Sequence, residues 1–366
     1  MTTTYRYLFA DLLTNEIIAE LPLTGVSFTQ QLNQAGTFQA HLLISGINTD
    51  AFNVDTSTQP GRNAIYVDRN GILVWGGVIW GRTYNSQAQS ISITAREFES
   101  YFERRRISTT TIFNNTDQLV IARTLIDNAQ AVASGDIGVI TGSETSGVLV
   151  DRIFYDYELK TVYTAIQDLS RQDDGFDFNI SVAYDPITNE PTKTLILGYP
   201  RTGVVDTGIG DINTPVFMFP AGNIVEYEYP EDGSIAANKL YVLGAGSNEG
   251  KLSATATDST KLAAGWPLLE DQANYSDITD QNILDELATG QVLALSEPPP
   301  IIKIVVPAFV DPEFGTYDIG DDARLMITDP RFPNGLDAVY RIVGLNVQPG
   351  EDGPERVTIT FTITTN

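Results

Sequence analysis

Residues Asp68 to Asn85 read DRNGILVWGGVIWGRTYN, a stretch with four glycines and two of the three tryptophans. Glycine at that density belongs either to a loop that cradles a phosphate or to a strand that must bend. The order is wrong for the first. GGVIWG lacks the GxGxxG spacing, no helix pattern follows it to receive a phosphate, and neither GxxxxGKS nor GxxxxGKT occurs in the chain. Ile72, Val74, Trp75, Val78, Ile79 and Trp80 are strand formers, and Asn70-Gly71 between apolar runs is a strong hairpin signal. Glycine inside a strand marks a bulge, a barrel corner or a close backbone approach. Gly71 is therefore expected to make a turn, and Gly76 and Gly77 to let a long strand bend as a small closed barrel requires. Trp75 and Trp80 are five residues apart, so they point to opposite faces unless a bulge intervenes. One is expected in the core and the other exposed or at an interface.

The same short-strand pattern extends on either side. TYRYLFADLLTNEIIAELPL reads as a hairpin turning near Thr14 and Asn15, GTFQAHLLI puts Phe38, Ala40, Leu42 and Ile44 on one face, and QSISITAREF adds a strand. Closely spaced strands with polar turns argue for a sandwich or barrel over residues 1–107. The chain then changes character. TAREFESYFERRR predicts a short helix with Phe98, Tyr101 and Phe102 on one side, and Thr116 is the expected N-cap of DQLVIARTLIDNAQA. LKTVYTAIQDLSRQ carries a helical stripe of Leu159, Val162, Tyr163, Ile166 and Leu169. The strands FDFNISVAYD and TKTLILGY follow, so residues 108–200 read as an α+β insertion. Strands return in PVFMFPAGNIVEYEYP and NKLYVLGAG. A helix, SDITDQNILDELATGQVLAL, ends before Pro298-Pro299-Pro300, and IIKIVVPAFV, ARLMIT, AVYRIVGLNVQ and ERVTITFTITT complete the chain. In the last, Val357, Ile359, Phe361 and Ile363 alternate with threonine. Residues 201–246 with 301–366 are expected to form a second β domain, interrupted by a helix-containing insertion at 247–300.

Composition excludes most chemistry. Without cysteine there are no disulfides or thiolate metal sites, and with His41 as the single histidine no multi-histidine metal site and only one possible Ser-His-Asp base. His41 lies in the alternating stretch QAHLLI, which favours a structural or surface role. The acidic stretches DDGFD at 173–177 and GDD at 320–322 lack the spacing of a calcium loop and read as turns. A glycosidase pair is not located by any local motif among 47 acidic residues. No cofactor is expected. IIKIVVPAFV is about half a membrane span, with Lys303 and Pro307 inside it, so no membrane span is expected; the N-terminus has no secretory pattern, and a soluble chain is expected. The net charge of −25 opposes nucleic-acid binding, which needs Lys and Arg to displace counterions. Arg104, Arg105 and Arg106 form the one basic run, a helix end or a partner for an acidic neighbouring subunit.

Residues 64–95 echo residues 323–361: a strand, a turn, a longer strand with an internal glycine, a polar loop and an alternating strand. This pattern, with GTFQAHLLI, ISITAREFESYFERR and VPAFVDPEFGTYDIGDDARLMITD, resembles minor tail proteins of long-tailed actinobacterial phages, a group similar to the baseplate hub proteins of tailed phages. The resemblance spans nearly the whole chain. It implies a mainly β fold of two barrel-like domains interrupted by α/β insertions. It also implies a homotrimer at the virion tail tip, in which six similar barrels join a sixfold tail tube to a threefold tip and DNA leaves through an acidic lumen without specific binding. Implied partners are the distal tail or tail tube protein, other tail-tip and baseplate proteins and the tape measure protein. No active site carries over, so a structural, non-enzymatic protein is expected, with no catalytic domain after Asn366. The alternative is a receptor- or carbohydrate-binding tail component, in which Trp75 or Trp80 stacks on sugars.

Overall fold

A computed structural model describes residues 3–44, 53–172, 174–208, 212–276, 278–296, 301–350 and 353–363. The first region holds β1 (Tyr5–Asp11), β2 (Ile17–Glu20), β3 (Thr24–Gln31), β4 (Thr37–Leu43), helix α1 (Val54–Ser57), β5 (Asn63–Arg69), β6 (Ile72–Asn85), β7 (Ser90–Glu97) and α2 (Glu99–Phe102). The insertion holds β8 (Thr111–Asp117), α3 (Gln118–Gln130), β9 (Val139–Ile140), β10 (Leu149–Phe154), α4 (Val162–Ser170), β11 (Asp177–Tyr184) and β12 (Pro191–Gly198). Next come β13 (Val216–Phe219), β14 (Glu226–Glu228), β15 (Lys239–Leu243), β16 (Ser253–Thr257), α5 (Ser259–Ala263), β17 (Glu270–Asn274) and α6 (Gln281–Ser296). The chain finishes with β18 (Lys303–Pro307), β19 (Asp322–Ile327), β20 (Leu336–Gln348) and β21 (Arg356–Ile363).

Among the described residues, thirteen of these strands form a single sheet. Its path runs β14-β18-β21-β20-β3-β4-β7-β6-β5-β1-β2, with β19 joining β20 and β13. Two barrel-like halves are thus stitched together where β3, from the N-terminal half, pairs with β20, from the C-terminal half. In β4, Phe38, Ala40 and Leu42 are buried while Thr37, Gln39, His41 and Leu43 are exposed, so one face takes the core and the other is left to solvent.

The hairpin expected at Asn70-Gly71 is present, both residues having positive φ (55° and 85°), as a two-residue turn with matching twist requires. Gly76 and Gly77 are close-approach positions. A Cβ on Gly77 would lie 2.2 Å from the Arg96 carbonyl oxygen, and one on Gly76 would touch Phe98, Tyr66 and Val182 at 2.9 Å.

The insertion packs α3 and α4 over a small sheet of β11, β12 and β9. Leu119, Ala122, Ile126 and Ala129 of α3 meet Val162, Ile166 and Leu169 of α4 in the core, each large aliphatic side chain contributing about 1.5–3 kcal/mol by burial. Two details differ from the sequence expectation. The N-cap of α3 is Asp117, whose carboxylate accepts the Leu119 N–H at 2.9 Å, while Thr116 belongs to β8. Leu159 is exposed at positive φ before α4, because Thr161 caps that helix and starts it at Val162.

Residues Glu228–Ile302 form a separate compact unit. Its start lies earlier than the expected 247, because β15 pairs with β16 and β17 and not with the large sheet. Leu240 and Val242 of β15 pack there against Leu284, Leu287, Ala288 and Val292 of α6.

Candidate functional site

The two halves repeat each other strand for strand. In the first, β6 pairs over its start with β5 and over its end with β7; in the second, β20 does the same with β19 and β21. Each long strand bulges at the matching place, between Ile79 and Gly81 and between Ile342 and Gly344. Gly81 then faces Thr94, and Gly344 faces Thr360. Even the approach is shared. The Gly61 N–H bonds the Ile79 carbonyl at 2.7 Å, and the Gly320 N–H bonds the Ile342 carbonyl at 2.8 Å, both glycines having positive φ. The glycines that carry the echo are therefore Gly81 and Gly344.

The bulge also settles the tryptophans. Trp75 is buried between the strands, its Nε1 donating to the Thr29 carbonyl at 2.9 Å and its ring 5.3 Å from that of Phe38. Trp80 occupies the bulge and is half-buried, its Nε1 donating to Ser100 Oγ at 2.7 Å. Neither offers an open platform for a sugar; exposed stacked aromatics occur, among the described residues, at Tyr155 and Tyr157 in the insertion.

Three polar clusters hold the halves and the insertion together. Arg69 at the end of β5 makes a two-pronged pair with Glu355, both Nε and Nη2 at 2.9 Å, and Tyr5 also donates to Glu355. Asp177 at the start of β11 accepts from Asn33 Nδ2 at 3.0 Å, the Thr202 N–H at 2.8 Å and Arg341 of β20. Arg201 reaches Asp322 at 2.7 Å, and Asp321 accepts the Val204 N–H at 2.7 Å. The GDD turn is thus a structural clasp, and no cluster of three metal-binding side chains occurs among the described residues. Of DDGFD, Asp173 lies outside the described residues.

A further polar group surrounds a cavity of about 320 Å³ whose lining includes Gln30, Trp75, Glu97, Val182, Tyr317 and Asp318. Burial, with Glu99 nearby, holds the Glu97 carboxyl well above its usual range; burial pushes Glu99 up to about 7 and Asp318 up to about 6. Raised carboxyls in a cavity suit a general acid. Here both glutamates tie segments together, Glu97 accepting the Gly36 N–H at 2.6 Å and Glu99 the Ile180 N–H.

The remaining sequence candidates are dispersed. Arg105 is half-buried and donates to the Tyr101 hydroxyl at 2.7 Å and to the Ala129 carbonyl at 2.8 Å, so it closes the C-terminus of α3. Arg106 reaches the Leu159 carbonyl at 3.3 Å, and Arg104 is exposed. His41 Nδ1 lies 3.1 Å from Ser92 Oγ on the exposed sheet face, and among the described residues no carboxylate pairs with it to complete a triad.

That exposed face has a character of its own. Across β21, β20, β3, β4 and β7 it presents Thr358, Thr360, Asn346, Gln348, Ser27, Thr29, Thr37, Gln39, Ser92 and Thr94. Among the described residues of these five strands, charged side chains on this face are few: Arg356 opposite Gln348, Arg96 opposite Thr37, and Asp337 at the start of β20, although the chain carries a net charge of −25. No sequence signal beyond the alternating threonines marks it.

This architecture is the fold of phage tail proteins. The chain is similar to a tail protein from Neisseria meningitidis MC58, with TM-score 0.61 and 12% identity over 97% of this chain and 96% of that one. It is similar to the 43 kDa tail protein of prophage MuSo2 from Shewanella oneidensis, with TM-score 0.60 and 14% identity over 98% of both chains. Prophage tail protein gp18 from Listeria monocytogenes EGD-e gives TM-score 0.52 and 12% identity over 97% of this chain and 94% of that one. No protein-family model and no curated protein matches the sequence.

Proposed function

We propose that the chain is a structural, non-enzymatic hub of a phage tail tip, assembling as a trimer that joins a sixfold tail tube to a threefold tip and lets DNA pass. The observation that carries this is the strand-for-strand repeat within one sheet: two equivalent halves per chain turn three copies into six equivalent positions. The phage tail fold supports it. Passage without capture suits a chain of net charge −25, and the exposed sheet face is mostly hydroxyls and amides, with Arg96 there already held by Glu103. The distal tail or tube protein, other tail-tip proteins and the tape measure protein are the partners such a position brings.

The test is imaging of the assembled particle. Three copies at the tail tip, each filling two of six similar positions, is the expected result. Six copies in one ring, or a place on side fibres, overturns it.

A further inference from the structure

Among the described residues, the internal repeat leaves a sheet joint unmade. Within the chain, the end of β20 takes β3 as a neighbour, Gly344 to Val347 facing Gln31 to Phe28, with the Leu32 N–H on the Val343 carbonyl at 3.0 Å. The equivalent end of β6, Gly81 to Asn85, pairs with β7 on one side; on the other, among the described residues, no strand pairs with it.

The side chains record the same gap. Phe28, Val347, Val357 and Val306 form a row across four neighbouring strands, each at most 1% exposed. In the first half the row has three members, Tyr84, Ile91 and Leu42, and Tyr84, the counterpart of Val347, is 57% exposed. Among the described residues, no side chain takes in the first half the seat that Phe28 fills in the second.

The repeat also names what fits. β3 is the strand next to β4, which pairs with β7. Its counterpart is β14, next to β18, which pairs with β21, and β14 ends the sheet path. We infer that β14 of a second copy of this chain adds to the open end of β6, making between copies the joint that β3 and β20 make within one. This rests on the trimeric reading and gives it an address: a head-to-tail contact through two different edges, of the kind that generates closed rings. By register, Arg82 and Tyr84 correspond to Leu345 and Val347, and they present their backbone N–H and C=O groups to the incoming strand.

The chain has no cysteine, so pairs introduced at this joint are the only ones present. The purified full chain is made with Tyr84→Cys together with a cysteine at Val225, Glu226 or Tyr227 in turn, oxidised mildly, and resolved without reductant. Strands that pair bring Cα atoms into disulfide range, about 4.4–6.8 Å. The expected result is a covalent ladder ending at three copies for one of these pairs, and none for Tyr84→Cys combined with a cysteine at Ile187, which is 92% exposed in the β11–β12 turn. Tyr84→Pro, which removes an outward N–H, should weaken non-covalent association by on the order of tenfold. Circular dichroism of that variant checks that it is folded. Oligomers that Tyr84→Pro leaves intact and that no pair cross-links overturn the joint while leaving the trimer standing. A chain placed by imaging in a sixfold ring or on side fibres overturns the hub reading itself.

Discussion

Replacing Gly77 by alanine should destabilise the first barrel half more than replacing either of its glycine neighbours in the hairpin. The added Cβ would sit 2.2 Å from the Arg96 oxygen, 2.6 Å from its carbonyl carbon and 2.6 Å from the Trp75 ring, where ordinary contacts begin near 3.4 Å. Two of these three atoms are backbone, in the strand that β6 pairs with at Gly77↔Glu97 and Val78↔Arg96, so the ladder itself must separate by about an ångström. Overpacking of this kind costs about 1–3 kcal/mol and occasionally more, and displaced ladder bonds put Gly77→Ala at or above the top of that range. Gly76→Ala meets three side chains at 2.9 Å, which can turn aside, and should fall lower in the range. Gly71→Ala meets nothing within 4 Å and carries only the strain of φ 85°, about 1–2 kcal/mol. At roughly 2–4 °C per kcal/mol, Gly77→Ala should lower the melting temperature by about 6 °C or more and Gly71→Ala by about half as much. Thermal unfolding followed by tryptophan fluorescence reads this directly, since Trp75 lies against the clash. A Gly77→Ala chain that melts no lower than Gly71→Ala would refute the close-approach argument.

Three further outcomes are expected. Glu99 and Asp318 have folded pKa values raised to about 7 and about 6, above their ordinary 4.5 and 3.8, so the stability that they contribute is fully present below those ordinary values and is lost as pH rises through 6 to 7. The midpoint of urea unfolding should fall over that interval, and Glu99→Gln should flatten the slope. Asp177→Asn leaves Arg341 without its charged partner in a largely buried site and should cost about 3–5 kcal/mol, read as a lower urea midpoint, whereas Asp185→Asn on the exposed β11–β12 turn should change it little. In gel-shift assays at low salt the chain should not retard duplex DNA; retardation that weakens steeply with added salt would contradict the non-binding passage.

Much of the fold was legible because alternation and turn chemistry are local. Asn70-Gly71, the face of Phe38, Ala40 and Leu42, and the stripes of α3 and α4 each announce themselves within about ten residues. Helix starts were less so, since Thr116 and Asp117 are both good caps and only the path of β8 decides between them. The strand Lys239–Leu243 reads as part of the second β domain but pairs with β16 and β17, because an apolar strand does not say which neighbours it will pair with. The echo of the two halves was visible, but its anchor was not. Gly76-Gly77 draws the eye, while the repeat is carried by Gly81 and Gly344, whose significance depends on a bulge that shifts register. The clasp of Asp177 with Arg341 was out of reach, as it joins residues 164 apart through side chains that carry no motif.

The pairing of β3 with β20 also sets a clock. Ser27 bonds Asn346 across 319 positions of chain, so the N-terminal half emerges from the ribosome long before the strand that covers its edge exists. At about 5–20 residues per second, that edge waits on the order of 15–60 seconds during synthesis, and contacts so distant in sequence form slowly even afterwards. For that interval β3 can be completed by the wrong strand, including that of another nascent chain. Productive folding of the protein therefore depends on how fast β20 arrives relative to its neighbours.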